Sequence, residues 1–350
     1  METKILVLGV GGAGCNIADK VYTSIKSYPY VNNVRVVAIN TDKQSLINLK
    51  SVKDYIVLGK KGRGAGSNPE KGKELALESW KEGQLERLKF DDTVDYDLII
   101  VIAGLGGGTG TGAGPVIVEY LKQTFVEAVV LSILILPDTD EYGEKTEMAH
   151  KGLSEFYKIS DALMLIDNAE IVDMSKPLSE AYEPANEFTK NVVITILDIC
   201  ERYGNPNIDF ADVQNALNQA KNSSKFVFIT SLEFPSKDMI TDSEINTRLL
   251  NLKRKTAVAS FKGAPSLIVG AFHNGDLPSQ KVKDFVEFLK REIITGGRSP
   301  FVKRGDYKTE DKIIRFGIII GGVEIDSRIQ RILSTTYPDR LLEEVYEGDS

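Results

Sequence analysis

Ala103-Gly104-Leu105-Gly106-Gly107-Gly108-Thr109-Gly110-Thr111-Gly112 stands between the apolar run 98–102 and the apolar-periodic segment 115–121. That order predicts a strand, a glycine loop and a helix. Glycine lets a backbone pass close to another group or take positive φ, and six glycines within nine residues concentrate that freedom in one turn. Unpaired N–H groups ahead of a helix, together with the helix dipole, favour an anion. Thr109 and Thr111 add hydroxyl donors. The loop therefore reads as a phosphate site, with Gly104, Gly106, Gly107, Gly108, Thr109 and Gly110 as contacts. It is not a P-loop, because no Gly-Lys-Ser/Thr follows. Nor is it the usual dinucleotide fingerprint, because it does not open the first βαβ unit.

The surrounding chain supplies more loops of the same kind. Residues 4–10 form a nearly continuous apolar run, as in a buried parallel strand. Gly9-Val10-Gly11-Gly12-Ala13-Gly14-Cys15-Asn16 then leads into a helical pattern ending near Ile25. Residues 34–39 form a strand that ends in Asn40-Thr41-Asp42, polar groups at a carboxyl end, where open α/β sheets bind ligands. A third glycine loop runs from Lys60 to Glu70, with Pro69 suited to a helix start. Residues 129–136 and 162–166 read as further strands. Repeated βα units predict a mostly parallel sheet with helices on both faces, and loops gathered on one rim.

A long helix is expected from Glu183 to about Tyr203, closed by Gly204 and Pro206. Another follows Asn207-Ile208-Asp209-Phe210-Ala211-Asp212 as far as Lys221. Beyond it, strands at 226–230, 266–272 and 313–320 and helices at 243–252 and 281–294 read as a smaller α/β body. The expected division is 1–182 for nucleotide binding, 183–222 for the central helix and its loop, 223–330 for the second body, and 331–350 for a tail.

Composition bounds the function. The 350 residues suffice for two packed domains, and a formal charge of −7 argues against a nucleic-acid or anionic-membrane binder. Cys15 and Cys200 provide no disulfide framework and read as buried thiols in a reducing cytoplasm. No apolar stretch approaches the roughly 20 residues of a membrane span. His150 and His273 have no partners at metal-ligand spacing and read as ordinary surface or loop residues.

The opening stretch, read with the loops in order, resembles the tubulin/FtsZ family over most of residues 1–222. The resemblance implies a Rossmann-like GTPase domain, a long central helix and a smaller C-terminal domain. GGGTGTG matches the family's main phosphate loop. Gly11, Gly12, Gly14, Cys15 and Asn16 match its first loop, with Asn16 on the base and ribose. Asn40 and Asp42 join the contact set, and Ala65, Gly66 and Asn68 match the loop that senses the terminal phosphate. Glu141 matches the ribose loop, and Asn168 and Asn186 belong to the implied nucleotide set. Tyr182 matches an aromatic ring on the base, and Glu187 falls where the family has a guanine-reading Asp. A carboxylate there can accept from guanine N1–H and N2–H₂ together. One departure is Glu144-Lys145-Thr146-Glu147, which replaces the basic residue expected near the phosphates.

Asn207, Asp209 and Asp212 match the family's synergy loop. In isolation, Asp212 beside a helix start reads as a cap. The resemblance instead implies that the loop enters the next subunit's site and orients the attacking water. It implies GTP/GDP, Mg²⁺ bridging phosphate oxygens without an assigned protein ligand, and head-to-tail filaments in the cytoplasm. Division is the implied task, with cell shape or plasmid and phage segregation as alternatives. The residues also leave open an NAD(P)-dependent dehydrogenase, from Gly9–Gly14, and a non-hydrolysing nucleotide switch.

Overall fold

The computed structural model describes residues 3–89, 95–138, 143–294, 299–310 and 312–335. Its first body is a six-stranded parallel sheet in the order β3-β2-β1-β4-β5-β6. The strands are β1 (Ile5–Val10), β2 (Val34–Asn40), β3 (Tyr55–Val57), β4 (Leu98–Gly104), β5 (Val129–Leu136) and β6 (Ala162–Asp167). The chain leaves β1 toward β2 and returns on the other side at β4, so the carboxyl ends of β1 and β4 form the switch point of the sheet. Every residue of β1 and β5 is buried, which accounts for their unbroken apolar runs. Leu6, Leu8 and Val10 join the core on one face of the sheet, and Ile5 and Val7 join the core on the other.

The helices of this body are α1 (Gly11–Ile25), α2 (Lys43–Ile47), α3 (Pro69–Lys81), α4 (Gly114–Thr124), α5 (Glu144–Ile159) and the short α6 (Leu178–Ala181). Asn68 caps α3 by accepting from Lys71 N at 3.2 Å, one residue ahead of the helix-starting Pro69. The long helix α7 (Glu183–Glu201) crosses to the second body. There α8 (Phe210–Lys221), β7 (Val227–Phe234), α9 (Asp242–Lys255), β8 (Val258–Ser260), β9 (Ser266–His273) and α10 (Ser279–Ile293) follow in turn. β10 (Phe301–Lys308), β11 (Ile314–Gly321), β12 (Glu324–Ile325) and α11 (Ser327–Ser334) complete it. Its main sheet has the order β10-β9-β11-β7 and mixes parallel and antiparallel pairs. The bodies meet where Leu163 of β6 bridges Phe226, just before β7. They also meet where Arg315 of β11 pairs with the buried Asp198 of α7.

Two sequence expectations change here. The stretch Gly9–Asn16 is not a loop, because β1 passes directly into α1 with Gly11 at φ 75° making the turn. His273 is not a surface residue. It is 4% exposed, its Nε2 lies 2.8 Å from Asp306 Oδ1, and its Nδ1 accepts from Gly275 N at 3.0 Å. β10, FVKRGDYK, gave no sequence signal because it is an edge strand of mostly polar, half-exposed residues.

Candidate functional site

The carboxyl ends of β1, β2 and β4 bring three glycine segments together. The opening stretch forms a turn at 105–108, then a wide π-type turn over Thr109–Ala113 that runs into α4. A Cβ on Gly110 would lie 2.1 Å from Gly104 O, one on Gly112 1.8 Å from Pro69 O, and one on Gly72 of α3 2.2 Å from Gly108 O. Gly14 meets Ile102 O at 2.2 Å in the same test. These glycines lock α1, α3 and the π-type turn onto the sheet. At Gly12, Gly66 and Gly107, by contrast, a Cβ would meet nothing within 4 Å. The expected phosphate glycines thus divide into those that let backbones touch and those that face open space. α1 starts with no side-chain cap, so its first N–H groups and dipole are directed at that space.

Side-chain hydroxyls tie the loops to one another. Thr41 and Thr109 share a 2.7 Å hydrogen bond, and Thr109 Oγ1 also lies 3.3 Å from Asn40 Oδ1. Gly106 N donates to Thr111 Oγ1 at 2.9 Å. Asp42 caps α2 and accepts from Ser45 Oγ at 2.6 Å, and the Ser45 hydroxyl with the Gln44 N–H holds its carboxyl below the usual range. Asn40 and Asp42 therefore hold loops in place through their side-chain oxygens. Thr41, between them at the strand's carboxyl end, ties this rim to Thr109. Ala65 is buried against the turn, and the isolated bridge Asp42–Arg63 brings its loop alongside β2. Glu141 lies outside the described residues, and Lys145 and Thr146 fall in the first turn of α5.

Beside the turn a cleft of about 440 Å³ is lined by Gly12, Asn16, Asn168, Tyr182, Glu183 and Asn186, among others. Asn168 is 8% exposed, and its Oδ1 has no hydrogen-bond partner among the described residues. An unsatisfied buried acceptor costs about 1–3 kcal/mol, so a ligand N–H or O–H in the cleft would be held there. Glu187 does not line the cleft. Its carboxylate is pinned by Lys20 at 3.1 Å and Lys190 at 2.5 Å. Burial pushes that carboxyl up, but the two ammonium groups outweigh it and leave it below the usual range. One residue along a helix turns a side chain by about 100°, and it is Asn186 that lines the cleft. Lys20, which also holds Glu183 at 2.8 Å, was not foreseen, because a lysine nine residues into a helix reads as a solvated charge.

Cys15 also turns away from the cleft. It is 1% exposed, its Sγ donates to Gly9 O at 3.3 Å and Ile39 O at 3.4 Å, and burial pushes its thiol up to about 12. The Cys200 thiol is raised by burial as well. Neither thiol is a nucleophile in this state. Iodoacetamide at pH 8 should leave both unmodified in the folded protein and label both in urea, with intact mass as the readout. Alkylation of Cys15 at the rate of a free thiol would refute its burial.

Asn207, Asp209 and Asp212 lie far from the cleft. α7 starts at the cleft with Glu183, and its 19 residues reach about 28 Å. Its far end, Glu201, accepts from Asn33 Nδ2 at 2.9 Å, and Asn33 precedes the amino end of β2. The loop that follows α7 is therefore on the amino-end rim of the sheet, and the cleft is on the carboxyl-end rim. Asp209 and Asp212 form a reciprocal capping box at the start of α8, with Asp212 N donating to Asp209 Oδ1 at 2.9 Å. Asp212 Oδ1 also accepts from Lys303 Nζ of β10 at 2.8 Å, and Asn207 Oδ1 accepts from Gly204 N at 2.9 Å. Within one chain these groups cap a helix and brace a loop.

Residues 4–176 match the profile described as Tubulin/FtsZ family, GTPase domain. Cell division protein FtsZ 1 of Pyrococcus abyssi is 30% identical over 328 residues, covering 92% of this chain and 82% of that protein. The chain belongs to the tubulin/FtsZ family. FtsZ of Helicobacter pylori is 33% identical over 349 residues, covering 96% of this chain and 84% of its own. A solved structure described as a GTPγS-bound protofilament of CetZ2 from Haloferax volcanii has TM-score 0.78 and 26% identity, covering 95% of this chain and 96% of the other. The chain is thus a tubulin/FtsZ-family GTPase, and the dehydrogenase alternative falls. Among the described residues no three His, Cys, Asp or Glu side chains stand together as a metal cage. Among the described residues, no helix is long and apolar enough to cross a membrane.

Proposed function

We propose that this FtsZ-like GTPase binds GTP in the cleft beside Gly104–Gly112 and assembles head to tail, with each active site completed by Asp209 and Asp212 of the next subunit. The observation that carries the reading is the separation just described. The cleft and the carboxylate loop sit on opposite rims of one sheet, joined by a helix about 28 Å long. A contact that stacks one rim on the other repeats without closing and makes an open filament. The H. volcanii relative was solved as a GTPγS-bound protofilament, which fits such stacking.

In this reading the phosphates rest on Gly12, Gly66 and Gly107 and on the N–H groups at the start of α1. The base lies between Asn16, Asn168, Tyr182 and Asn186. The Asn186 carboxamide can accept from guanine N1–H and donate to O6; adenine, with an acceptor at N1 and a donor at N6, would require the carboxamide to flip. An incoming carboxylate, Asp209 or Asp212, orients water toward the terminal phosphate, and Asn207 holds that loop in shape. Residues 1–182 form the GTPase domain, 183–222 the relay to the neighbour's site, and 223–330 the second body. Cell division is the cellular task, as in the names of the curated relatives.

GTP turnover per subunit should rise from a low value with protein concentration, in step with light scattering, and ATP should not substitute. Turnover that is flat across a protein titration would mean a self-contained site and would remove the split-site reading.

A further inference from the structure

Asp167, the last residue of β6, is 4% exposed, and its two oxygens face different elements. Oδ1 accepts from Ala169 N at 3.2 Å and so caps the turn Asn168–Glu170. Oδ2 takes the guanidinium of Arg328, on α11. Burial pushes the Asp167 carboxyl up, and the Arg328 charge offsets part of that rise. The turn so held carries Asn168, whose buried Oδ1 has no partner among the described residues in the cleft. A second contact reaches the same turn from the C-terminal body, where Arg254 Nε lies 3.9 Å from Glu170 Oε2.

α11 is anchored in that body. Its cap, Asp326, accepts from Ile329 N at 2.9 Å, donates its own N–H to Ala257 O at 2.9 Å, and lies 3.5 Å from Arg328. β12, just before it, pairs with β8. Arg328 therefore reaches from the C-terminal body across to the residue that sets the cleft turn.

We propose that Arg328 is a positioning residue for the nucleotide cleft: through Asp167 it fixes the turn that presents Asn168, and so couples docking of helix α11 to nucleotide binding. This rests on the reading of the cleft as the guanine-nucleotide site. A fork-shaped donor suits the role, because it can hold Asp167 and Asp326 from one side chain. Linkage makes the coupling reciprocal, so whatever favours α11 on its seat tightens nucleotide binding, and nucleotide steadies α11.

The test uses the full chain below its assembly concentration, with GDP as the probe. Arg328→Gln should weaken GDP binding about tenfold, the size of one lost charge-assisted hydrogen bond. The double variant Asp167→Asn/Arg328→Gln should recover most of that loss, since no unpaired buried carboxylate remains. In the unmodified chain GDP should slow hydrogen exchange of the α11 amides, and this readout needs no variant to fold. Arg328→Lys, with charge but no fork, should fall between wild type and Arg328→Gln. GDP affinity within twofold of wild type in a folded Arg328→Gln protein, whatever its melting temperature, would overturn the inference. So would α11 exchange that GDP leaves unchanged. If the unmodified chain fails to bind GDP, the cleft reading itself is wrong and the inference goes with it.

Discussion

Asp212→Asn should lower GTP turnover by about 10²–10⁴-fold, the range for loss of a positioned general base, while leaving GDP affinity below the assembly concentration unchanged. The two halves of this expectation come from different parts of the molecule. Affinity is spared because Asp212 sits on the rim opposite the cleft, beyond the far end of α7. Turnover is lost because a carboxamide orients water less well and takes no proton. The fold survives because Asn can still accept at the Asp209 N–H, and the lost part of a helix-start network is worth about 1 kcal/mol. Lys303, whose 2.8 Å pair to Asp212 disappears, is 44% exposed and can turn to solvent. Mixing sharpens the test. A Tyr182→Ala/Asn186→Ala chain keeps its loop but loses its base contacts. Mixed with Asp212→Asn, it should restore turnover that neither has alone, since one junction in the mixed filament joins a sound cleft to a sound loop. Turnover within twofold of wild type in Asp212→Asn would remove the carboxylate from the mechanism. Wild-type activity that follows concentration, with no recovery on mixing, would shift the shared group to another residue.

The sequence showed the sheet and the rim more clearly than the cleft wall. Fully buried parallel strands are apolar throughout, so β1, β4 and β5 declared themselves, and the glycine runs after them marked the switch point. The start of α3 was also legible, because Pro69 suits the first turn of a helix by local chemistry. The wall of the cleft was not, because it depends on which way a helical side chain points. Glu187 matched a family position by type, yet α1 presents Lys20 to it and Asn186 faces the cleft instead. Cys15 sat within a glycine motif, but an α-helix starting at Gly11 turns it into the core. Lys303 and Arg328 come from an edge strand and the last described helix, more than 90 residues along the chain from Asp212 and Asp167. Pairs at that separation exist only once distant segments have folded together, and no local pattern announces them.

Gly112→Ala should be the most damaging single methyl in the nucleotide body. Its Cβ would stand 1.8 Å from Pro69 O, 2.6 Å from Pro69 C and 2.8 Å from Pro69 Cα, all backbone atoms at the first turn of α3. Backbone cannot step aside as a flexible side chain can, so α3 must move away from the π-type turn. Overpacking of this kind costs about 1–3 kcal/mol, and the rigid partner here places it at the upper end. The damage should spread to binding. Gly108 is wedged against Asn68 N and O on the loop ahead of the same helix, so displacing α3 displaces the phosphate turn. Both the urea midpoint and GDP affinity should fall. Gly12→Ala is the matched control, with the same added methyl three residues before Cys15 and nothing within 4 Å of it. In a helix Ala is favoured over Gly by roughly 0.5–1 kcal/mol, so stability should hold or rise. GDP affinity should nonetheless drop, because the methyl occupies space the phosphates need. The pair separates glycines that hold the rim together from glycines that leave it open. A Gly112→Ala protein with a wild-type urea midpoint would show that the turn is not locked to α3, and unchanged GDP affinity in Gly12→Ala would place the phosphates elsewhere.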